Sequence, residues 1–340
     1  MRDKVWLAWA TLRCPAEVWE VTKQFQHWEE VVSALRGTVC VDEEDVTKSC
    51  ALLEKVEGVC VVGFGEDDYP DTLLSIEQFP PVLFLKGRWE RMNMVAVVGS
   101  RRCSTYGRKM AYDLGRGFAE LGIGVVSGMA RGIDRWAHIG CLDAGGYTVA
   151  VWGTGIDRVY PREHKSLANR IFREGLVLTE FPPGISPLQF VFPRRNRLIS
   201  GLASCVIVVE ASLKSGSLIT ARWAAEQGKD VFVIPGDVTR DTAEGIVELL
   251  KNGASPVACA LDVVQTMGWG TVGDVKQGVD TVDLDDDERT VWDLLVDGPV
   301  LVDEVLMDTG WSFGHTSSVL LSMELKGLIR QLPGNRIVRV

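Results

Sequence analysis

Between residue 94 and about residue 260 the chain repeats one alternation, which restricts its possible folds more than any other feature. Six short β-rich runs (MVAVVG, IGVVSG, YTVAVWG, LVLTEF, CVIVVEA and VFVIPG) each precede a stretch of helical spacing. The helical stretches begin near Tyr106, Arg131, Glu163, Arg194, Ser217 and Glu244. Runs that are apolar on both faces must be covered on both faces, and helices between them supply the crossovers that parallel strands need. The expected core is therefore a doubly wound α/β domain with a parallel sheet. In such sheets ligands sit beyond the carboxyl ends of the strands.

The flanks differ in texture. Apolar residues recur at helical spacing through residues 1–57, as in Val5, Trp9 and Leu12, so a small separate N-terminal helical domain, SAM-like or helix-hairpin-like, is expected there. From Gly58, "GVCVVGFG" and "PVLFLKG" read as strands that extend the α/β domain over 58–266. Residues 267–285 are glycine-rich and then acidic, with seven Asp or Glu against one Lys between Asp274 and Glu288, which is linker composition. Over 286–340, helical patterns at 286–296, 301–308 and 315–327 lead into two short strands around a Pro-Gly-Asn turn. That order predicts a winged helix-turn-helix domain.

No apolar run reaches the length of about 20 residues that a membrane helix needs. The eight cysteines stand singly, without CxxC or metal-ligand spacing. A reduced, cytoplasmic protein without a metal is expected.

The strand ends carry the chemistry. Gly99, Ser100, Arg101 and Arg102 follow the first run, and Ser127 and Gly128 end the second. "GTGIDRVYP" brings Tyr160, and "EASLKSGSLITA" places Lys214 in a loop with Ser215 and Gly216, and Ser217 at the expected N-cap of the next helix. Glycines let backbone amides approach a ligand, helix N-termini add partial positive charge, and phosphate is the usual anion at such places. The G-x-G-x-x-G fingerprint and the P-loop are both missing, which argues against NAD and ATP. His138 and His164 stand beside no nucleophile motif. Glu180 and Glu210 end strands, where they can act as acids or bases or pair with arginine. No complete catalytic set is visible, so neither an enzyme nor a cofactor is expected.

The chain is acidic, with a formal net charge of −10, yet "FPRRNRLISG" packs Arg194, Arg195 and Arg197 around Asn196. On a helix starting at 194, Leu198, Ile199 and Leu202 share one face. Arg194 and Arg197 fall beside each other outside it, where phosphate contact is expected. Arg195 projects toward the apolar side, so an ion pair with a carboxylate such as Glu180 or Glu210 is expected.

Taken in order, "VVGSRRCSTYG", "SGMARGIDRWAH", "GTGIDRVYPREH", "TEFPPGISPLQFVFPRRNRLISGL", "VIVVEASLKSGSLITARWAAEQGKDVFVIPG" and "LLKNGA" resemble the DNA-processing DprA (Smf) family. The resemblance is dense over residues 60–260. It implies an extended Rossmann-like domain that binds single-stranded DNA without hydrolysing it. It also implies protection of incoming strands in natural transformation, loading of the RecA recombinase, and self-association as a dimer. The family's DNA-binding positions fall on Arg101, Arg194 and Arg197, with Lys214 close by. One departure is "TAEGIVELL", where Val247 stands in place of the usual Asn.

Two rivals follow from the same residues. Nucleotide hydrolases of the lysine-decarboxylase-like fold use PGGxGTxxE, where this chain reads "IPGDVTRDT". A duplex reader would use the winged helix. Its candidate recognition helix offers only His315 and Lys326 as cations, against Glu324, with Ser317 and Ser318 able to touch phosphate. Arg330, Arg336 and Arg339 lie on the wing. Major-groove readers carry more positive charge, so a protein-contact or regulatory role is expected there.

Overall fold

Helices α1 (Arg2–Arg13), α2 (Pro15–Thr22), α3 (Trp28–Leu35) and α4 (Glu43–Leu53) open the chain. The antiparallel pair β1 (Val59–Gly63) and β2 (Val82–Gly87) follows. The alternation then runs β3 (Met94–Val98), α5 (Thr105–Glu120), β4 (Gly124–Ser127), α6 (Ile133–Asp143), β5 (Thr148–Val151), α7 (Lys165–Glu174) and β6 (Leu176–Thr179). It continues with α8 (Val191–Leu202), β7 (Cys205–Val208), α9 (Gly216–Glu226), β8 (Asp230–Val233), α10 (Glu244–Lys251), β9 (Ser255–Pro256) and α11 (Ala260–Thr266). This computed structural model describes residues 1–269, 284–295, 300–326, 328–332 and 336–339. Most of the expected linker, the Pro-Gly-Asn turn, and the side chains of Arg330 and Arg339 lie outside the described residues.

The nine strands form one sheet in the order β1-β2-β6-β5-β4-β3-β7-β8-β9, parallel from β6 to β9. β2 adds antiparallel to β6. The two-faced burial expected from the apolar runs is visible residue by residue. Ala96, Val98, Val206 and Val208 enter one apolar cluster, while Val95, Val97, Cys205 and Ile207 enter the other. Successive side chains of a strand point to opposite faces, so both clusters draw on the same strands.

Helices α1 to α4 bury Val5, Leu7, Val18, Val31 and Leu35 in the first of these clusters, together with Leu83 and Phe84 of β2. One compact unit runs Met1–Val275, so the change of texture at residue 57 is a change of secondary structure within a shared core.

A second unit, Lys276–Val340, contains α12 (Asp286–Leu294), β10 (Val300–Leu301), α13 (Val302–Thr309), α14 (Phe313–Leu325), β11 (Ile329–Leu332) and β12 (Arg336–Arg339). Its strands pair in the order β10-β12-β11 over a core of Val291, Val305, Leu320, Met323 and Ile337. This is the winged helix-turn-helix expected, with one further short strand, β10, immediately before α13. The two candidate cations of the recognition helix, His315 in α14 and Lys326 just after it, are engaged. His315 Nε2 lies 3.0 Å from Asp287, and Lys326 Nζ donates to the buried Glu288 at 2.6 Å. The Lys326 ammonium holds the Glu288 carboxyl below its ordinary pKa.

Candidate nucleic-acid interface

From β3 the chain winds outward through β4, β5 and β6, and α8 then returns it to β7 on the other side of β3. The reversal leaves a crevice beyond the carboxyl ends of β3 and β7, the topological switch point at which such sheets bind ligands. A cavity of about 880 Å³ occupies it. Residues 99–102 form one wall and residues 214–217 the facing one, with Arg195 and Asn196 of α8 also lining it.

Hydrogen bonds hold the walls in place. After Gly99, the Ser100 amide donates to the Glu210 carbonyl at 2.7 Å, tying the turn after β3 to the end of β7. The Arg102 amide donates to Ser100 Oγ, and both arginine side chains remain exposed. Opposite, the N-cap of α9 is Ser215 and not the expected Ser217: the helix begins at Gly216, so Ser215 Oγ accepts the Ser217 amide, and the two hydroxyls lie 2.7 Å apart. Asn196 Nδ2 donates to the Gly216 carbonyl at 3.1 Å, so α8 braces this turn. Lys214 is exposed. Arg101, Arg102 and Lys214 have no ion-pair partner among the described residues. The cavity's own carboxylates are Asp134, which is buried, and Asp241.

Phe192, to which no role is assigned along the sequence, joins Tyr160 in lining the same cavity. The rings of Tyr160 and Phe192 lie 5.7 Å apart, and the Arg101 guanidinium lies over Phe192 at 5.4 Å. Phe192 stands two residues before Arg194 in the quoted segment. An aromatic interleaved with arginines was the available signal.

The arginine roles differ from the expectation. Arg195 pairs with neither Glu180 nor Glu210. Its Nη1 donates to the carbonyls of Val151 and Gly128, at 2.8 Å for the latter, and its Nε donates to Asn196 Oδ1. Glu180 is held by the other two arginines. Arg197, only 1% exposed, donates Nη1 and Nη2 to its two oxygens at 2.9 and 2.7 Å. Arg194 reaches Glu180 at 3.1 Å and the Thr11 carbonyl at 3.1 Å. Both guanidiniums lie over the Trp19 ring. The physical reason is that α1 and α2 cover the face of α8 that a helical wheel leaves to solvent. The helix also starts at Val191, three residues before the assumed first turn. Arg195, on the apolar side of the wheel, points to the carboxyl ends of β4 and β5.

The remaining expected positions are structural in their contacts. Ser127 Oγ, fully buried, donates to the Val97 carbonyl and ties β4 to β3. Gly128 lies against the Arg195 guanidinium. Glu210 accepts the Ser104 amide at 2.9 Å and the Ser104 hydroxyl at the start of α5, so it caps a helix and pairs with no arginine. His138 is fully buried with Nδ1 2.7 Å from Thr148 Oγ1. That hydroxyl already donates to the Val125 carbonyl, so Nδ1 carries the proton. Burial, with His164 and Arg195 nearby, pushes the His138 pKa down to about 3. A neutral imidazole sealed in the core exchanges no proton with a ligand in the crevice. Among the described residues no group of three or more metal-ligating side chains comes together, and no helix is long and apolar enough to cross a membrane.

Comparison with known proteins assigns this architecture. The family model described as DNA recombination-mediator protein A matches residues 60–268, and the DprA winged helix domain matches 277–335. The chain is 45% identical over 201 residues to the DNA processing protein DprA of Streptococcus pneumoniae, covering 58% of this chain and 71% of that one. It is 37% identical to protein Smf of Escherichia coli, covering 79% and 74% of the two chains. The X-ray structure of DprA from S. pneumoniae superposes with a TM-score of 0.63 at 37% identity, over 78% of this chain and 95% of that one. DNA processing protein A from Helicobacter pylori, described for its single-stranded DNA binding mode, superposes with a TM-score of 0.56 at 28% identity, over 62% and 96%. A recombination mediator is a binding protein, and the hydrolase alternative falls with that assignment. A mediator domain matched over residues 60–268, a matched winged helix and relatives at 37–45% identity make this chain a member of the DprA/Smf family of DNA-processing proteins.

Proposed function

We propose that this chain binds single-stranded DNA along the switch-point crevice. The supporting observation is the pairing of three exposed cations, Arg101, Arg102 and Lys214, with the Tyr160–Phe192 rings in one cavity of an acidic protein. Phosphates need cations that are not already neutralised, and the N-terminus of α9 adds oriented amides. Aromatic faces discriminate strandedness, because stacking on a side chain requires a base whose own face is open. The likeness to the H. pylori protein described for single-stranded DNA binding supports the same reading.

In the cell the chain would act in the cytoplasm as a homodimer, protect incoming strands and load RecA onto them. The winged helix would make protein contacts, since His315 and Lys326 are engaged with Asp287 and Glu288 of α12 and α14 exposes Phe313 and Leu321. Tight duplex binding abolished by Ser317→Glu would overturn that last assignment.

The central test is fluorescence anisotropy with single- and double-stranded oligonucleotides over a salt series. Single strands should bind more tightly. Arg101→Glu with Lys214→Glu should remove most of the affinity and flatten the log–log salt slope by about 1.4, or 0.7 for each lost phosphate contact. Equal binding of duplex and single strand, or an unchanged slope in the double variant, would sink the proposal.

A further inference from the structure

A smaller cavity of about 190 Å³ opens off the crevice between the ends of β4 and β5 and the turn after β3. It shares Arg101, Arg102, Tyr160, Phe192 and Arg195 with the main cavity, so the two are continuous. We propose that this side pocket is a phosphate subsite with the Arg195 guanidinium as its floor and Arg101 and Arg102 as its rim. The proposal rests on the reading of the crevice as a single-strand site and adds a phosphate position to it.

The argument is one of unbalanced charge. α8 buries two guanidiniums, and the fold treats them differently. Arg197 has a bidentate carboxylate in Glu180. Arg195, 4% exposed, has no carboxylate within ion-pair distance among the described residues. Its hydrogen bonds go to two backbone carbonyls and one amide oxygen, all neutral. Asp134 acts on its charge only from beyond ion-pair distance, and one Asp134 oxygen accepts the amides of Gly128 and Ala130 at 3.1 and 3.3 Å. Burial pushes the Arg195 pKa down to about 10, Asp134 opposes that shift, and the Arg101 charge adds to it.

A buried cation without a direct counter-ion is costly, and an anion bound beside it would offset that cost. Nη2 has no acceptor among the described residues, so the guanidinium retains donor capacity at the cavity wall. Gly128 makes this possible. A Cβ there would stand 2.6 Å from Nη2, so only glycine lets the guanidinium lie on the backbone at the end of β4. Arg101 and Arg102, both exposed, then complete a three-cation setting for one phosphate group. That group can be a phosphodiester within the strand or a phosphomonoester at its end.

The test uses the full chain with Arg195→Gln and Arg195→Lys, checked for folding by thermal melting. Anisotropy is read over salt with 5′-hydroxyl and 5′-phosphorylated oligonucleotides. Arg195→Gln should weaken single-strand binding about tenfold and lower the salt slope by about 0.7, the value of one phosphate. Arg195→Lys should keep the slope while losing part of the affinity. A 5′-phosphate that tightens wild-type binding, with the gain lost in Arg195→Gln, places the strand end in the pocket. Equal binding of both oligonucleotides with the slope change places an internal phosphodiester there. If Arg195→Gln does not fold, Gly128→Ala, whose methyl would displace the Arg195 guanidinium while leaving Arg101, Arg102 and Lys214 in place, should give the same slope reading. A folded variant with an unchanged slope overturns the subsite while leaving the crevice reading intact. Failure of the wild type to bind single strands overturns both.

Discussion

Replacing Glu180 tests whether Arg194 and Arg197 belong to the fold or to the ligand. The carboxylate is buried, 4% exposed for the whole residue, and takes two hydrogen bonds from Arg197 and two from Arg194, at 2.7 to 3.3 Å. Glu180→Leu strands a 1%-exposed guanidinium without a counter-charge. Breaking a buried pair from one side costs about 3–5 kcal/mol, a large fraction of a typical domain's total stability. Adding Arg197→Met removes the orphaned charge and keeps the volume. Arg197 Nε is already buried without an acceptor among the described residues, so the apolar replacement also removes an unmet donor. The double variant should therefore recover about 2–3 kcal/mol of the loss. Urea denaturation followed by circular dichroism at pH 7 measures both steps, and anisotropy on the double variant measures binding. A single-variant loss under about 1 kcal/mol, or a double variant no more stable than the single, would refute the ion-pair reasoning. Loss of single-strand binding in a stable double variant would return Arg197 to the DNA site.

Stability should also depend on His138. Its pKa falls from 6.5 to about 3 on folding, chiefly through burial, so the stabilisation is full above pH 6.5 and is lost as pH drops toward 3. At about 1.4 kcal/mol per pH unit, roughly 2 kcal/mol should disappear between pH 6.5 and 5. Urea midpoints at the two pH values should differ less in His138→Gln, and an identical pH dependence counts against this assignment. Gly107→Ala places a methyl 2.5 Å from the Glu210 carboxyl carbon, which should displace the cap of α5. A loss of about 1–3 kcal/mol is expected, read as a lower melting temperature. Phe192→Leu should weaken single-strand binding by about 1–3 kcal/mol with no change in salt slope, because stacking releases no counter-ions. A slope change would show that Phe192 acts through Arg101.

Much of the fold is legible along the chain because its cause is local. Each apolar run in 94–260 becomes a strand, and the helices of that region start within three residues of where their spacing places them. The turn glycine at 99 marks one of these junctions, while the caps of α5 and α9, Ser104 and Ser215, are found only in the structure. The crevice is legible too, since strand ends in a doubly wound sheet converge on one edge. The division of labour among the three arginines is not legible. A helical wheel shows which side chains share a face, but not what covers that face. The covering residues, Thr11 and Trp19, lie more than 170 positions away in sequence from Arg194.

The sequence by itself thus determines the α/β class, the winged helix, the family and the switch-point edge where ligand groups collect. These follow from periodicity and from motifs that act over a few residues. Tertiary structure alone decides which charges are free. Electrostatic compensation depends on separation in space, and only folding brings Glu180 to Arg197 and Arg194, spends His315 and Lys326 on α12, and leaves Arg195 buried among carbonyls at the wall of the cavity.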